Sequence, residues 1–410
     1  MKKEKEYDVL IVGGGIAGIS AALESSRSGL STALVEKTIL WGGLATSGLV
    51  PIYMPLCNGN GKQVTFGIAE ELLKLSIKYG PGNIPSGWFG QNGEELDFRY
   101  DELYPEGKLN KRYLTIYSPM AFVFELDEIL GESSVDLWLD TLACQPVMKG
   151  NKITGIEVEN KSGRILIKAK CIIDGTGDAD IAYRCNAPCE EKGSYPSFLY
   201  QYASLMLAKE AVQKNSAFRL ITWQDGGGAN EYNEGYKGNK GIFTGTSGKG
   251  VSEFVMESRS IAREKLKAEQ EGEGESGREN IYPASLPTMV QIRMSRRIIG
   301  METVLPDMCN KYNENSVGLI ADCREINSVW EVPYGALIPQ NVENLLVIGR
   351  CVSAEGYAWQ VTRLIPAAAL TGQISGIAVK LAIQHNTSPD KIHIKDIQKC
   401  IKDKGIILHI

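Results

Sequence analysis

Gly13, Gly15 and Gly18 stand in the spacing Gly-x-Gly-x-x-Gly, an arrangement that does its chemistry with backbone alone. The first glycine permits a tight turn, the second removes a Cβ so that backbone can approach a diphosphate, and the third lets a helix pack closely on a strand. The amides that open such a helix, those of Ile16 and Ala17 included, carry partial positive charge toward the ligand. About 20 residues beyond the first glycine stands Glu36, where a carboxylate accepts hydrogen bonds from ribose hydroxyls and disfavours a 2′-phosphate; Lys37 follows it and joins the expected cofactor set. NAD and FAD both present adenosine and a diphosphate to such a turn, so the motif leaves the two open.

The motif needs a strand before it and a helix after it. Tyr7–Val12 is a short apolar β run, small and apolar residues at helical spacing cover 16–27 before Gly29, and 32–36 reads as a second strand. That is a βαβ unit, with its ligand at the carboxyl ends of the strands. The pattern further predicts a helix near 68–79, a β meander from Val135 to Ile173, a buried strand at Leu345–Gly349 and a long Ala/Gly/Ile helix at about 367–383. The stretch 49–109, rich in Gly, Pro and aromatics, reads as irregular and pocket-forming, with Trp88 and Trp223 as pocket wall or core, and the acidic run from Glu271 reads as a mobile loop.

The chain has 410 residues, 43% of them apolar and 23% charged, with a formal net charge of −5. This is the composition of a globular protein of about two or three folding units. No broad basic surface follows from it, and nucleic acid is not expected as a partner. The nine cysteines show neither a Cys-x-x-Cys pair nor a Cys/His cluster of zinc spacing. No metal is therefore expected, and reduced thiols point to the cytoplasm. The opening apolar run is cut short by glycines, unlike a signal peptide. The other apolar stretches read as too interrupted for the roughly 20 residues of a membrane span, so no membrane is expected.

Seven segments carry a resemblance to one family. They are Gly13–Gly18, Gly42–Ser47, Asp174–Asp180, Arg293–Gly300, Val332–Pro339, Asn344–Ser353 and Arg363–Gly376. In order and spacing they resemble the broad family of FAD-dependent oxidoreductases, flavoproteins with the glutathione-reductase-like Rossmann domain. The resemblance implies an α/β fold in which a discontinuous Rossmann-type FAD-binding domain (1–50, 110–185 and 335–410) carries an inserted α+β substrate or cap domain (51–109 and 186–334). It also implies that Gly42, Gly43, Ala45 and Thr46 lie along the pyrophosphate and flavin, and that Ala143 meets adenine through its backbone. Gly175 and Gly177 then belong near the adenosine half, Gly349 and Arg350 end the last strand, and Gly372 and Gln373 lie where amides face the flavin pyrimidine edge. The chain departs from the family locally: Met294 replaces an acid and Gly335 an arginine.

A flavin carries the hydride, so the protein needs to hold a small organic substrate and manage one proton and local charge. Tyr334, Glu355 and Tyr357 flank the expected flavin-facing strand ends as candidate acids or bases. Arg293, Arg296, Arg297 and Arg363 are candidate clamps for a carboxylate, although an Arg-x-x-Arg-Arg series more often pairs internal carboxylates. All three histidines lie in the last segment (His385, His393, His409), which excludes a histidine base in the cap. Cys351 is the thiol nearest the expected flavin and reads as packing. A single fingerprint leaves no second Rossmann domain for NAD(P)H, so the electron donor or acceptor is undefined. Two other readings stay open: an NAD-dependent Rossmann enzyme, and a flavin-binding protein whose FAD is structural.

Overall fold

A computed structural model describes residues 3–80, 115–228, 235, 241–272 and 277–410. The expected features around Trp88, much of the glycine-rich section after Gly228 and the Glu273–Glu275 part of the acidic loop lie outside the described residues. The chain forms two compact units, one of Met1–Thr46, Pro51–Glu190 and Arg297–Ile410, the other of Ser47–Val50 and Glu191–Arg296.

In the first unit, β1 (Lys3–Val12) is paired in parallel with β2 (Thr32–Val35) on one side and with the Gly163–Asp174 strand on the other. Asp136–Trp138 extends the parallel sheet beyond β2, and Leu345–Val347 pairs in parallel with Ile172–Asp174. The other half of the Gly163–Asp174 strand pairs with Lys152–Asn160, and that with Leu142–Lys149, in an antiparallel meander. Val9 to Val12 are buried, as are all four residues of β2. Strands covered on both faces read as unbroken apolar runs, which is why these were visible in the sequence. The first strand starts earlier than its apolar run, because Lys3–Tyr7 still pairs with Ile165–Ala169.

α1 (Ile16–Arg27) follows β1 and packs on the closing helix, Ile365–Gln384. A Cβ at Gly372 would fall on the Ala17 carbonyl oxygen, and one at Gly376 would lie 2.7 Å from the Glu24 Cβ. Two glycines one turn apart thus bring the helix backbones together. The closing helix is long and apolar enough to cross a membrane by length and composition, which corrects the expectation that no stretch reaches that length; 83% of the apolar window is buried inside the protein.

The domain limits differ from those expected. The Ser316–Ala321 and Val329–Pro333 hairpin, expected in the cap, belongs to the first unit. Every residue in both strands is buried, and the Leu370 side chain of the closing helix reaches the place a Cβ on Gly318 would take, 2.9 Å away. The Ile68–Leu75 helix also belongs to the first unit. The second unit is a three-stranded antiparallel sheet of Ser197–Ser204 flanked by Ile221–Gly228 and Ile281–Ser285. The Gly248–Gln270 helix supplies Ala262 to a core with Phe198 and Tyr200.

Candidate functional site

The glycine turn lies between β1 and α1, at the carboxyl ends of the parallel strands. Gly13 adopts φ 104°, and a Cβ there would collide with the Gly175 carbonyl oxygen; a Cβ at Gly18 would collide with the Gly13 carbonyl. Gly15 is different, because a Cβ there meets nothing within 4 Å. Its open face adjoins the first turn of α1, which has neither a side-chain cap nor an acidic residue. The α1 amides are thus left to an external acceptor, and the space over Gly15 lets a diphosphate reach them.

Glu36 is buried at the end of β2, and its carboxylate accepts from Gly14 N–H at 2.7 Å and from Thr38 N–H at 2.8 Å. It therefore braces the turn from below, while Lys37 is exposed. The Trp41–Thr46 segment lies against the same turn: Gly42 N–H donates to Gly14 O at 2.8 Å, and a Cβ on Gly43 would stand 3.1 Å from Gly15 Cα. Gly42 and Gly43 hold φ of 100° and 59°, which glycine adopts without strain. Thr46 is fully buried and its hydroxyl donates to Trp41 O, so it secures the segment from within.

Across the turn, Gly175 N–H donates to Val12 O at 2.8 Å and Gly177 adopts φ 81°. Arg350 anchors this crossover, donating to Gly177 O at 2.6 Å and pairing with Asp178 at 2.6 Å. Trp359 in turn donates its indole N–H to Arg350 O at 2.6 Å. Gly349, φ 74°, brings two helix starts together, because a Cβ on it would lie 3.2 Å from the Ala17 Cβ and 4.0 Å from that of Ala368. The closing helix likewise begins without a side-chain cap or an acidic first turn. Gly13, Gly15, Gly43, Gly175, Gly177, Arg363, Leu364 and Ala368 remain half-buried amid buried neighbours, so both helix starts face accessible space.

The remaining expected cofactor residues are Gly372, Gln373 and Ala143. Gly372 is packed on α1, and both ends of the Gln373 amide are engaged, Nε2 with Glu24 at 3.0 Å and Oε1 with Ile68 N–H at 2.9 Å. Both are buried, about two turns into the closing helix. Ala143 sits within the meander opposite Val158, and its carbonyl accepts from Arg184 at 2.9 Å.

Each acid–base candidate has an intramolecular partner. Tyr334 is buried with its hydroxyl on Pro389 O at 2.9 Å, and burial drives its pKa far above the ordinary tyrosine value. The Tyr357 hydroxyl donates to the buried Asp322, and partial burial followed by that contact raises its pKa too. Arg324 lies over the Tyr357 ring at 4.7 Å, and this tyrosine reads as structural. Glu355 is half exposed and pairs with the buried Arg297 at 2.9 Å, while Arg297 also meets Glu190. Arg363 donates to Gln360 at 2.9 Å.

In the second unit Arg296, 3% exposed, pairs with Glu191 at 3.1 Å, and Arg293 reaches Ser197 Oγ at 3.4 Å. Arg296 and Arg297 thus bind internal carboxylates, as an Arg-x-x-Arg-Arg series more often does. Cys351 is fully buried, and burial holds its thiol well above the ordinary value.

Two residues escaped sequence reasoning. Asp174 is fully buried and accepts from Ile181 N–H, Ala182 N–H, Thr176 N–H and the Thr176 hydroxyl at 2.7–3.0 Å, ordering the crossover. Its place in Asp174-Gly-Thr-Gly-Asp178 was the available signal. Tyr117 donates to Ala45 O at 2.9 Å from 72 positions away, and no local pattern announces that contact. Among the described residues no His/Cys/Asp/Glu group could hold a metal ion.

The fold and this glycine turn define a dinucleotide-binding α/β protein. Residues 8–243 and 241–401 match the model of the FAD dependent oxidoreductase family. The chain belongs to that family and its cofactor is FAD, which settles the choice the glycine turn left open.

Thioredoxin reductase of Bacillus subtilis (strain 168) is 36% identical over 84 residues, 20% of this chain and 27% of the relative. Digeranylgeranylglycerophospholipid reductase of Picrophilus torridus is 28% identical over 178 residues, 42% of this chain and 40% of the relative. The chain thus spans under half the length of these curated relatives. A geranylgeranyl bacteriochlorophyll reductase-like protein of Thermoplasma acidophilum aligns over 98% of this chain and 84% of its own, at 15% identity and a TM-score of 0.44.

Proposed function

We propose that FAD lies in an extended form along the crevice of the first unit and exchanges hydride with a small organic substrate. The observation that carries this is the convergence at Gly349 of two uncapped helix starts, one beside the open face of Gly15. NAD needs one such seat for its diphosphate; a second suits the pyrimidine end of a flavin, where negative charge gathers on reduction. Glu36 then stands at the ribose end, Gly13–Gly18 at the diphosphate, and Gly42–Thr46 with residues 363–368 at the flavin. Bound FAD would supply the hydride chemistry, and the uncapped start of the closing helix would favour negative charge beside it.

The protein's own part is to seat the cofactor and to place one cation, Arg363, at the mouth of that helix, where it steadies negative charge on flavin or substrate. Glu355, half exposed beside Arg297, is the remaining acid–base candidate. Two matched relatives are named reductases, which supports hydride transfer without naming a substrate for this chain. The test is a visible spectrum of the purified protein, then anaerobic addition of hydroxy acids, sugars and NAD(P)H in turn. Bleaching of a flavin band by one class supports the proposal and identifies the donor. Bound FAD that no donor reduces, while dithionite does, would make the flavin structural.

A further inference from the structure

Tyr117 is fully buried, and its hydroxyl donates to the carbonyl of Ala45 at 2.9 Å. Its own N–H donates to Pro51 O at 2.9 Å, and its ring meets Phe122 edge-on at 5.3 Å between centroids. Backbone, ring and hydroxyl are therefore each held. The acceptor belongs to the Gly43–Ala45 turn, which begins with Gly43 and follows Gly42, both at positive φ, and lies against Gly15. A turn built from such freely rotating residues has few intrinsic constraints on its peptide planes. Here the plane between Ala45 and Thr46 is held with its oxygen inward by Tyr117, while the Thr46 hydroxyl, bonded to Trp41 O, closes the same segment from its other end.

We infer that Tyr117 is a positioning residue for the cofactor: its hydroxyl locks the Gly43–Ala45 turn in the conformation that receives FAD. The inference rests on the proposed path of FAD past this turn. Without the hydroxyl the buried Ala45 carbonyl loses its donor, and rotating outward toward water would bring a partial negative charge to the crevice.

The structure contains its own control. Tyr53 is as deeply buried and donates to Ala69 O at 2.7 Å, the same bond type made to the Ile68–Leu75 helix instead of the turn. Tyr117→Phe and Tyr53→Phe therefore remove equivalent bonds, of which one touches the turn. FAD quenching titrations and melting of the FAD-free proteins are measured for wild type and both variants. We expect similar losses of melting temperature, but an FAD dissociation constant at least 10-fold higher for Tyr117→Phe and within 2-fold of wild type for Tyr53→Phe. Equal dissociation constants for the two variants overturn the inference, whereas wild type that binds no FAD overturns the proposed cofactor path itself. Should Tyr117→Phe not fold, Thr46→Val loosens the same turn from its other end and must show the same loss of FAD affinity, or the inference fails.

Discussion

Gly15 and Gly18 separate ligand space from packing space within one motif. A methyl added at Gly15 meets no protein atom, and the residue's φ of −72° and ψ of 175° suit alanine. Loss of glycine's freedom in the unfolded chain stabilises, and alanine's poorer capping of α1 opposes it, each by under about 1 kcal/mol. The FAD-free melting temperature of Gly15→Ala should thus stay within about 3 °C of wild type. The same methyl holds a diphosphate away from the α1 amides. One lost charge-assisted hydrogen bond, about 1.5–3 kcal/mol, weakens FAD roughly 10- to 150-fold. In Gly18→Ala the methyl lands on the Gly13 carbonyl and must push α1 off β1, at about 1–3 kcal/mol or more, so that the FAD-free protein itself melts earlier. Paired melting curves and FAD titrations distinguish the two. A Gly15→Ala protein that folds normally and binds FAD as tightly as wild type would show that the diphosphate does not lie over Gly15.

Tyr334→Phe should leave the pH profile of any flavin reduction unchanged while costing about 1–3 kcal/mol of stability in urea, because the Pro389 carbonyl loses its donor; a shifted profile would restore Tyr334 to the chemistry. Burial raises the Asp174 pKa, although its hydrogen bonds oppose that shift. The stability this titration contributes is full below the unfolded value of about 3.9 and is lost as pH rises through the higher folded value. The stability difference between wild type and Asp174→Asn should therefore move in favour of the variant as pH rises across that window, and denaturant melts showing the opposite slope would refute the assignment. The Cys351 thiol is held well above its ordinary pKa by burial, and those of Cys171 and Cys185 are pushed up to about 12. Peptide mapping after native iodoacetamide treatment at pH 8 should find all three unmodified until urea is added, and rapid native labelling of Cys351 would reopen a redox role for it.

The parts legible in the sequence are those whose physics is local. The span of α1, β2 and the glycine turn follow from a few consecutive residues, since apolar runs, helical spacing and a missing Cβ act over one turn of chain. Glu36 was expected to accept from ribose, and in the fold its carboxylate takes the Gly14 and Thr38 amides. Whether a side chain is free to act is not local. Tyr334 lies at a strand end in sequence, yet Pro389, 55 positions away, takes its hydroxyl. Gln373 lies in the expected segment, but helix packing turns its amide toward Glu24 and Ile68. Arg296 and Arg297 find Glu191 and Glu190 more than 100 positions away. The hairpin around Ser316–Pro333, buried on both faces, joins the first unit because Gly318 leaves room for Leu370. The sequence alone determined the strand–turn–helix unit of the glycine motif, since that unit is made of backbone in one continuous segment. Only the tertiary structure decided which side chains remain available around it, because burial and pairing are set by residues that meet through the fold.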